Sequence, residues 1–293
     1  MGFRTVVITT RCKLEFKMNY MVYRGEETKR VFINEISTLI ISNTAVTVTA
    51  PLLIELIKRK VKVIFCDEKH NPLMELMPYY DSYNGSKKIY NQINWQEKVK
   101  AVVWTEIVKE KINQQGQFVK ELGFNEEANL LKGYAENVEL NDVTNREGHS
   151  AKVYFGAIFG KKWNRDGLDF KNNALNYGYT VLLSAFNREI VKLGYLTQLG
   201  IWHKNQFNDF NLSCDFIEPF RVLVDRKVYK LDENDKNFKK EMIAVLTEKV
   251  KIGGKVMFVE DAISIYVQSV VSALNDADIS KIKFFECGSV DEI

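Results

Sequence analysis

The spacing of apolar residues changes once along this chain, and that change points to two segregated units. In the first 80 residues the spacing is that of strands. Leu14, Phe16 and Met18 alternate with Lys13, Glu15 and Lys17, and short β-branched runs recur at 6–9, 31–33, 39–41 and 61–65. One helix interrupts them, with Thr49 as its expected N-cap, Pro51 in its first turn, and Leu52, Leu53, Leu56 and Ile57 on one face. Turns are expected at 24–26, 43–44 and 67–72. From about residue 86 the period becomes helical: Ile93, Val99, Val102, Val103, Ile107 and Ile112 mark one long helix. Further helices are expected near 125–136, 145–160, 173–193, 236–249 and 258–275. The fold class is therefore α+β, with a β-rich unit over 1–80, a linker over 81–90 and a larger all-α unit over 91–293.

Composition removes several alternatives. With 293 residues, 46% of them apolar, a sizeable core is available, and no window is rich enough in Gly, Pro, Ser or Gln for disorder. Cys12, Cys66, Cys214 and Cys287 form no C-x-x-C pair, the usage of a reduced intracellular protein. The amino terminus has no signal-peptide pattern, and Val6 stands where N-myristoylation wants Ser or Thr. Asn43, Pro51 and Glu55 interrupt the most apolar stretch before it could span a bilayer, so the expected setting is cytoplasmic, without a membrane partner. Net charge is only +3, but residues 1–80 carry +4 and 146–230 carry +5, so two blocks could face a polyanion.

Four segments hold the residues that could carry chemistry. Thr144-Asn145-Arg146-Glu147 reads first as a capping box, in which Glu147 reaches back to Thr144. Glu147 also shares a helix face with Ala151 and Tyr154, which would turn a carboxylate inward, where it needs a cation. His70 and His149 read as loop and surface histidines. His203 follows Gly200-Ile201-Trp202 in a loop after a long helix, where function concentrates, although taken singly it reads better as a structural histidine. Asp215 and Glu218 lie three residues apart, with Pro219 placing Glu218 on a kink or immediately outside a helix start; they either complement a helix dipole or, with an imidazole, make a donor set for Mg²⁺ or Mn²⁺. Lys171 to Tyr179 opens a helix with Asn172 or Asn173 as N-cap, and Gly178 inside it implies a close backbone neighbour.

As an ordered set, NREGHSAKVYF, NALNYGY, GIWH and CDFIEPFR resemble the CRISPR adaptation integrase family, the universal Cas-one proteins that insert new spacers, and most of all its type II branch. The resemblance implies Glu147, His203 and Glu218 as catalytic Mg²⁺ or Mn²⁺ ligands, with Asp215, Asn173 and Tyr177 in supporting roles. It implies metal-dependent insertion of short foreign DNA into a CRISPR array by 3′-hydroxyl strand transfer. The implied partners are double-stranded DNA (spacer donor and repeat), a second copy of the chain bound through the β-rich unit, a small adaptation protein bridging two such dimers, and other type II CRISPR proteins. Lys58, Arg59, Lys60, Lys62, Lys161, Lys162, Arg165, Arg221, Arg226 and Lys227 are the candidate phosphate contacts. Two other functions fit the same residues: a hydrolytic nuclease of branched DNA, and a non-catalytic DNA-binding scaffold.

Overall fold

All six residues of Ile36–Ile41 are buried, which requires a strand covered on both faces. In the computed structural model this strand, β5, lies between β1 (Arg4–Ile8) and β7 (Lys62–Cys66), parallel to both, with Val6 opposite Leu39 and Leu39 opposite Val63. Strand β8 (Pro72–Glu75) adds antiparallel to β7, giving the order β1-β5-β7-β8. A second sheet has the order β4-β3-β2-β6, from β2 (Cys12–Lys17), β3 (Tyr20–Arg24), β4 (Thr28–Phe32) and β6 (Val46–Val48). Helix α1 (Ala50–Lys58) sends Leu52 and Leu56 into a core with Leu14, Met21, Leu39 and Val63. Thr49 precedes α1, but its hydroxyl makes no cap; its carbonyl accepts from Leu52 and Leu53 instead.

The structure describes residues 2–68, 72–79, 85–232 and 235–287. His70 and residues 81–84 of the expected linker lie outside them. The chain divides into two compact units, 1–81 and 82–293. The second opens with α2 (Gly85–Ile93), so the rest of the expected linker is helical. The expected long helix is two: α2 ends at Ile93, and α3 (Glu97–Glu121) begins after Asn94-Trp95-Gln96.

Helix α3 is the hub of this unit. It buries Val103, Trp104, Ile107, Ile112, Phe118 and Val119, and with them the polar Lys111, Gln114 and Gln115. Against it pack α4 (Asn125–Glu136), α5 (Arg146–Phe159), α7 (Asn211–Phe216), α8 (Arg221–Lys230) and α10 (Val259–Asp276), while α6 (Phe170–Lys192) packs on α7, α8 and α10 and α9 (Phe238–Ala244) on α6. The unit is helical as expected, with one addition. Strands β9 (Lys249–Ile252), β10 (Lys255–Phe258) and β11 (Phe285–Glu286) form a small antiparallel sheet of order β10-β9-β11, so the helix expected at 236–249 is cut back to α9, while the one expected at 258–275 is α10. Gly253 and Gly254, at φ 57° and 76°, make the two-residue turn between β9 and β10. No helix among the described residues is long and apolar enough to cross a membrane.

Candidate active site

Helix α5 is capped by residues other than the expected pair. Asp142, buried, accepts from the backbone N–H of Arg146 at 2.7 Å and of Glu147 at 3.1 Å, and Asn145 accepts from Gly148 at 3.2 Å. The Thr144 hydroxyl makes no hydrogen bond. Asn141, Asp142 and Asn145 all have φ between 50° and 65°, a conformation that Asn and Asp tolerate better than most residues. The N–H of Asn141 is tied to the Thr105 hydroxyl of α3 at 2.8 Å, which fixes the start of α5 against the hub. With the helix end satisfied by Asp142, the Glu147 side chain is released from capping and turns to Lys111.

Lys111 joins two of the three expected ligands. Its ammonium lies 2.5 Å from Glu147 Oε1 and 2.5 Å from Glu218 Oε2. Glu218 sits in the 3₁₀ turn Glu218–Phe220 that Pro219 imposes between α7 and α8, and its other oxygen accepts from Arg221 Nε at 2.9 Å. Burial opposes ionisation of Glu218, yet Arg221 and Lys111 outweigh it and hold the carboxyl at about 2. Burial likewise opposes the Lys111 charge, and Glu218 and Glu147 overcome it, keeping the amine above its usual range.

His203 is placed by Asp215. The fully buried Asp215 carboxylate accepts from the backbone N–H of Ile201 at 2.6 Å, Trp202 at 3.1 Å and His203 at 3.0 Å, and bonds His203 Nδ1 at 2.6 Å. Asp215 is thus no dipole ornament; it shapes the loop and, with Nδ1–H directed at it, leaves Nε2 as the imidazole's lone-pair donor. The Asp215 hydrogen bond raises the His203 pKa against the effect of burial, with Glu218 and Glu147 adding to the rise. The ring meets Trp104 of α3 edge-on at 5.9 Å, and Trp104 stacks on Trp202 at 5.5 Å. Beside His203 opens a cavity of about 530 Å³, lined by Gln92, Trp95, Lys100, Asn205 and Asn211 among others.

The other sequence-predicted residues fare unequally. Helix α6 starts at Phe170, capped by Asp169, so neither Asn172 nor Asn173 is the N-cap. Asn173 is exposed, and Tyr177 is buried against Phe238. Gly178 does mark a close approach, but of side chains: a Cβ there would lie 2.5 Å from Val224 Cγ1 and 2.9 Å from Met242 Sδ. Tyr179 connects this helix to the site. The Arg221 guanidinium lies 4.6 Å over its ring, and its hydroxyl and that of Tyr154 both donate to the buried Asp225.

Among the basic candidates, Lys62 is buried and paired with Glu75, which removes it as a phosphate contact. Arg226 is held by both oxygens of Glu121, Lys227 pairs with Glu248, and Arg221 is occupied by Glu218. Arg59 is engaged by Glu55, Asn19 and Asn34. Arg165 reaches Asn172 at 2.9 Å and Asn176 at 2.6 Å. Lys58, paired with Glu55 at 3.2 Å, and Lys60, Lys161 and Lys162 are exposed. His149 is exposed, as expected.

The arrangement is an acidic pair gathered on one cation supplied by the chain itself, with an oriented imidazole in the same charge field. Among the described residues no three His, Cys, Asp or Glu side chains stand ready-made as a metal cluster. The donors nevertheless suit a hard divalent ion, being two carboxylates and an imidazole nitrogen without thiolate, and two of them already converge on a positive charge. A family model described as "CRISPR associated protein Cas1" matches residues 5–252. The chain belongs to the Cas1 family. It is 32% identical, over 98% of its length and 97% of the relative's, to the CRISPR-associated endonuclease Cas1 of Neisseria meningitidis. Its fold is also that of a casposase solved bound to its integration product, with TM-score 0.79 and 16% identity, covering 99% of this chain and 97% of that one. In a Cas6-RT-Cas1–Cas2 complex the match has TM-score 0.74 and 17% identity over 96% of this chain, which spans 36% of that longer subunit. The Cas1 family membership expected from the four motifs and the α+β fold expected from the apolar spacing are therefore established.

Proposed function

We propose that this Cas1 protein is a divalent-metal-dependent DNA integrase that inserts short foreign DNA into a CRISPR array, with Glu147, His203 and Glu218 as its metal ligands. The observation that supports the reading is the convergence of Glu147, from α5, and Glu218, from the turn before α8, on one positive charge, with the Asp215-held imidazole of His203 in the same electrostatic field. Mg²⁺ or Mn²⁺ would be held by Glu147, Glu218 and the Nε2 of His203; when bound, the ion neutralises charge on the reacting phosphate and acidifies the attacking hydroxyl. In the transfer, the 3′-oxygen of the incoming strand bonds to phosphorus at the repeat boundary as the bond from phosphorus to the old 3′-oxygen breaks. The attacking hydroxyl loses a proton and the departing oxygen gains one. One phosphodiester replaces another, so no nucleotide cofactor is consumed. Asp215 orients His203, while Arg221 keeps Glu218 ionised and fixes one of its oxygens.

The integration product held by the casposase favours strand transfer, whereas the name endonuclease borne by the Neisseria relative favours hydrolysis. End-labelled donor DNA and a supercoiled plasmid bearing a repeat separate the two. Covalent joining of label to plasmid supports transfer; nicking alone supports the hydrolytic reading. Loss of both products on Glu147→Ala or His203→Ala in a folded protein supports the assigned site. Activity that survives these changes and chelation would instead leave the acids as structural ion-pair partners in a DNA-binding scaffold.

The Cas6-RT-Cas1–Cas2 complex supports a Cas2 partner for this chain too, and the casposase's integration product supports bound DNA. Dimerisation through the first unit is favoured by β8, an edge strand that exposes Leu73 and Met74. Exposed Lys58, Lys60, Lys161 and Lys162 are the candidates left free of a structural burial that would bar phosphate contact.

A further inference from the structure

We propose that Lys111 occupies the metal seat between Glu147 and Glu218, so that loading a divalent ion is an exchange of cations. This rests on the reading of those two acids as metal donors. The ammonium contacts one oxygen of each acid at 2.5 Å, and an ion bound by the same oxygens at about 2.0–2.2 Å would need the space the ammonium fills. Two cations cannot share that position.

The charges agree with an exchange. Two carboxylates face Lys111 and Arg221, a balance of zero, so a further two positive charges would leave the buried cluster cationic. Lys111 is the one ion-pair partner of Glu147 among the described residues, and Arg221 remains on Glu218 Oε1 if the ammonium withdraws. Glu218 would then offer the ion a single oxygen, Oε2. The Glu147 side chain is 31% exposed while those of Lys111 and Glu218 are 9% and 5% exposed, so the Glu147 side is the route by which an ion reaches the seat. In the metal-free protein the lysine has a second task, because without it the buried Oε2 of Glu218 would lose its cation and Glu147 its ion-pair partner.

These two tasks predict opposite effects of one substitution. Lys111→Met should lower the melting temperature in the presence of a chelator, yet bind Mn²⁺ at least about tenfold more tightly, since a full charge at contact distance no longer competes. Free Mn²⁺ measured by electron paramagnetic resonance, on the full chain without DNA, reads the affinity, and melting in chelator and in saturating Mn²⁺ reads the stability. Unchanged or weaker Mn²⁺ binding would overturn the proposal, because a lysine that merely braces the donors would weaken binding when removed. If Lys111→Met gives no cooperative melt, Lys111→Gln, which keeps a hydrogen-bond donor without the charge, decides in the same way. Glu147→Gln is measured beside them. If it loses Mn²⁺ binding while the Lys111 variants bind like wild type, the exchange fails alone; if it binds Mn²⁺ as wild type does, the assignment of the donors fails and the exchange with it.

Discussion

At the scale of single residues, the acids of the site were visible in the sequence and their company was not. Glu147, His203, Asp215 and Glu218 stand in distinctive strings, but Lys111 lies in a long helix where lysine ordinarily means a wet face. A signal did exist: Lys111 follows Ile107 by four and Val108 by three, which sets it on the buried stripe of α3. Asp142 carries no capping pattern in the sequence, because a positive-φ turn moves the cap of α5 to a residue outside the Thr144–Glu147 pattern. Asp215 has the clearest consequence. Asp215→Asn should put an amide N–H against backbone donors, misplace His203 and weaken Mn²⁺ binding by about 10–100-fold, as loss of an outer partner of a metal-bound histidine does. Titration of Mn²⁺ against the folded variant measures this. Gly200 supports the same loop, since a Cβ there would lie 2.4 Å from the His203 carbonyl oxygen and 2.7 Å from Asp215 Oδ2. Gly200→Ala should therefore cost about 1–3 kcal/mol in urea unfolding and lower integration activity as well.

At the scale of elements, periodicity found the helices α4, α5 and α6 and failed where an element is short or interrupted. Strands β9 and β10 have four residues each, too few to compete with the helical runs on either side, although the Gly253-Gly254 turn flanked by alternating Lys249, Val250, Lys251 and Ile252 marks a hairpin. The break between α2 and α3 is marked by phase: Ile93 lies six residues before Val99, about 240° round a helix and off the stripe of Val99, Val103 and Ile107, and it is 63% exposed. Helices α6 and α8 meet at Gly178, and Gly178→Ala should destabilise the protein by about 1–3 kcal/mol, because Val224 belongs to a packed core with little room to retreat. Chemical unfolding followed by circular dichroism checks it. The same helices enclose Asp225, whose burial raises its carboxyl from 3.8 to about 6 despite hydrogen bonds from Tyr179 and Tyr154. Its folded value exceeds its unfolded one, so its contribution to stability is full below about pH 4 and is lost as pH rises through 6. Asp225→Asn should remove that loss: its stability relative to wild type should be more favourable at pH 7.5 than at pH 4.5, read from urea midpoints at both values.

At the scale of the whole molecule, the two units divide the proposed work. Every residue of the candidate active site belongs to the second, and the first exposes Leu73 and Met74 on the edge strand β8, where the dimer contact is proposed. Replacing both Leu73 and Met74 with Glu in the full chain should convert a dimer to a monomer in light scattering, while Mn²⁺ binding is retained. A dimeric mass would reject β8 as the contact. The sequence by itself determined the two-unit α+β plan and marked the acids and the imidazole, because hydrophobic period and motif order are written in consecutive residues. Only the tertiary structure decided which cation those acids meet, since Lys111 is 36 positions from Glu147 and 107 from Glu218 along the chain, and burial makes their charges pair across that separation.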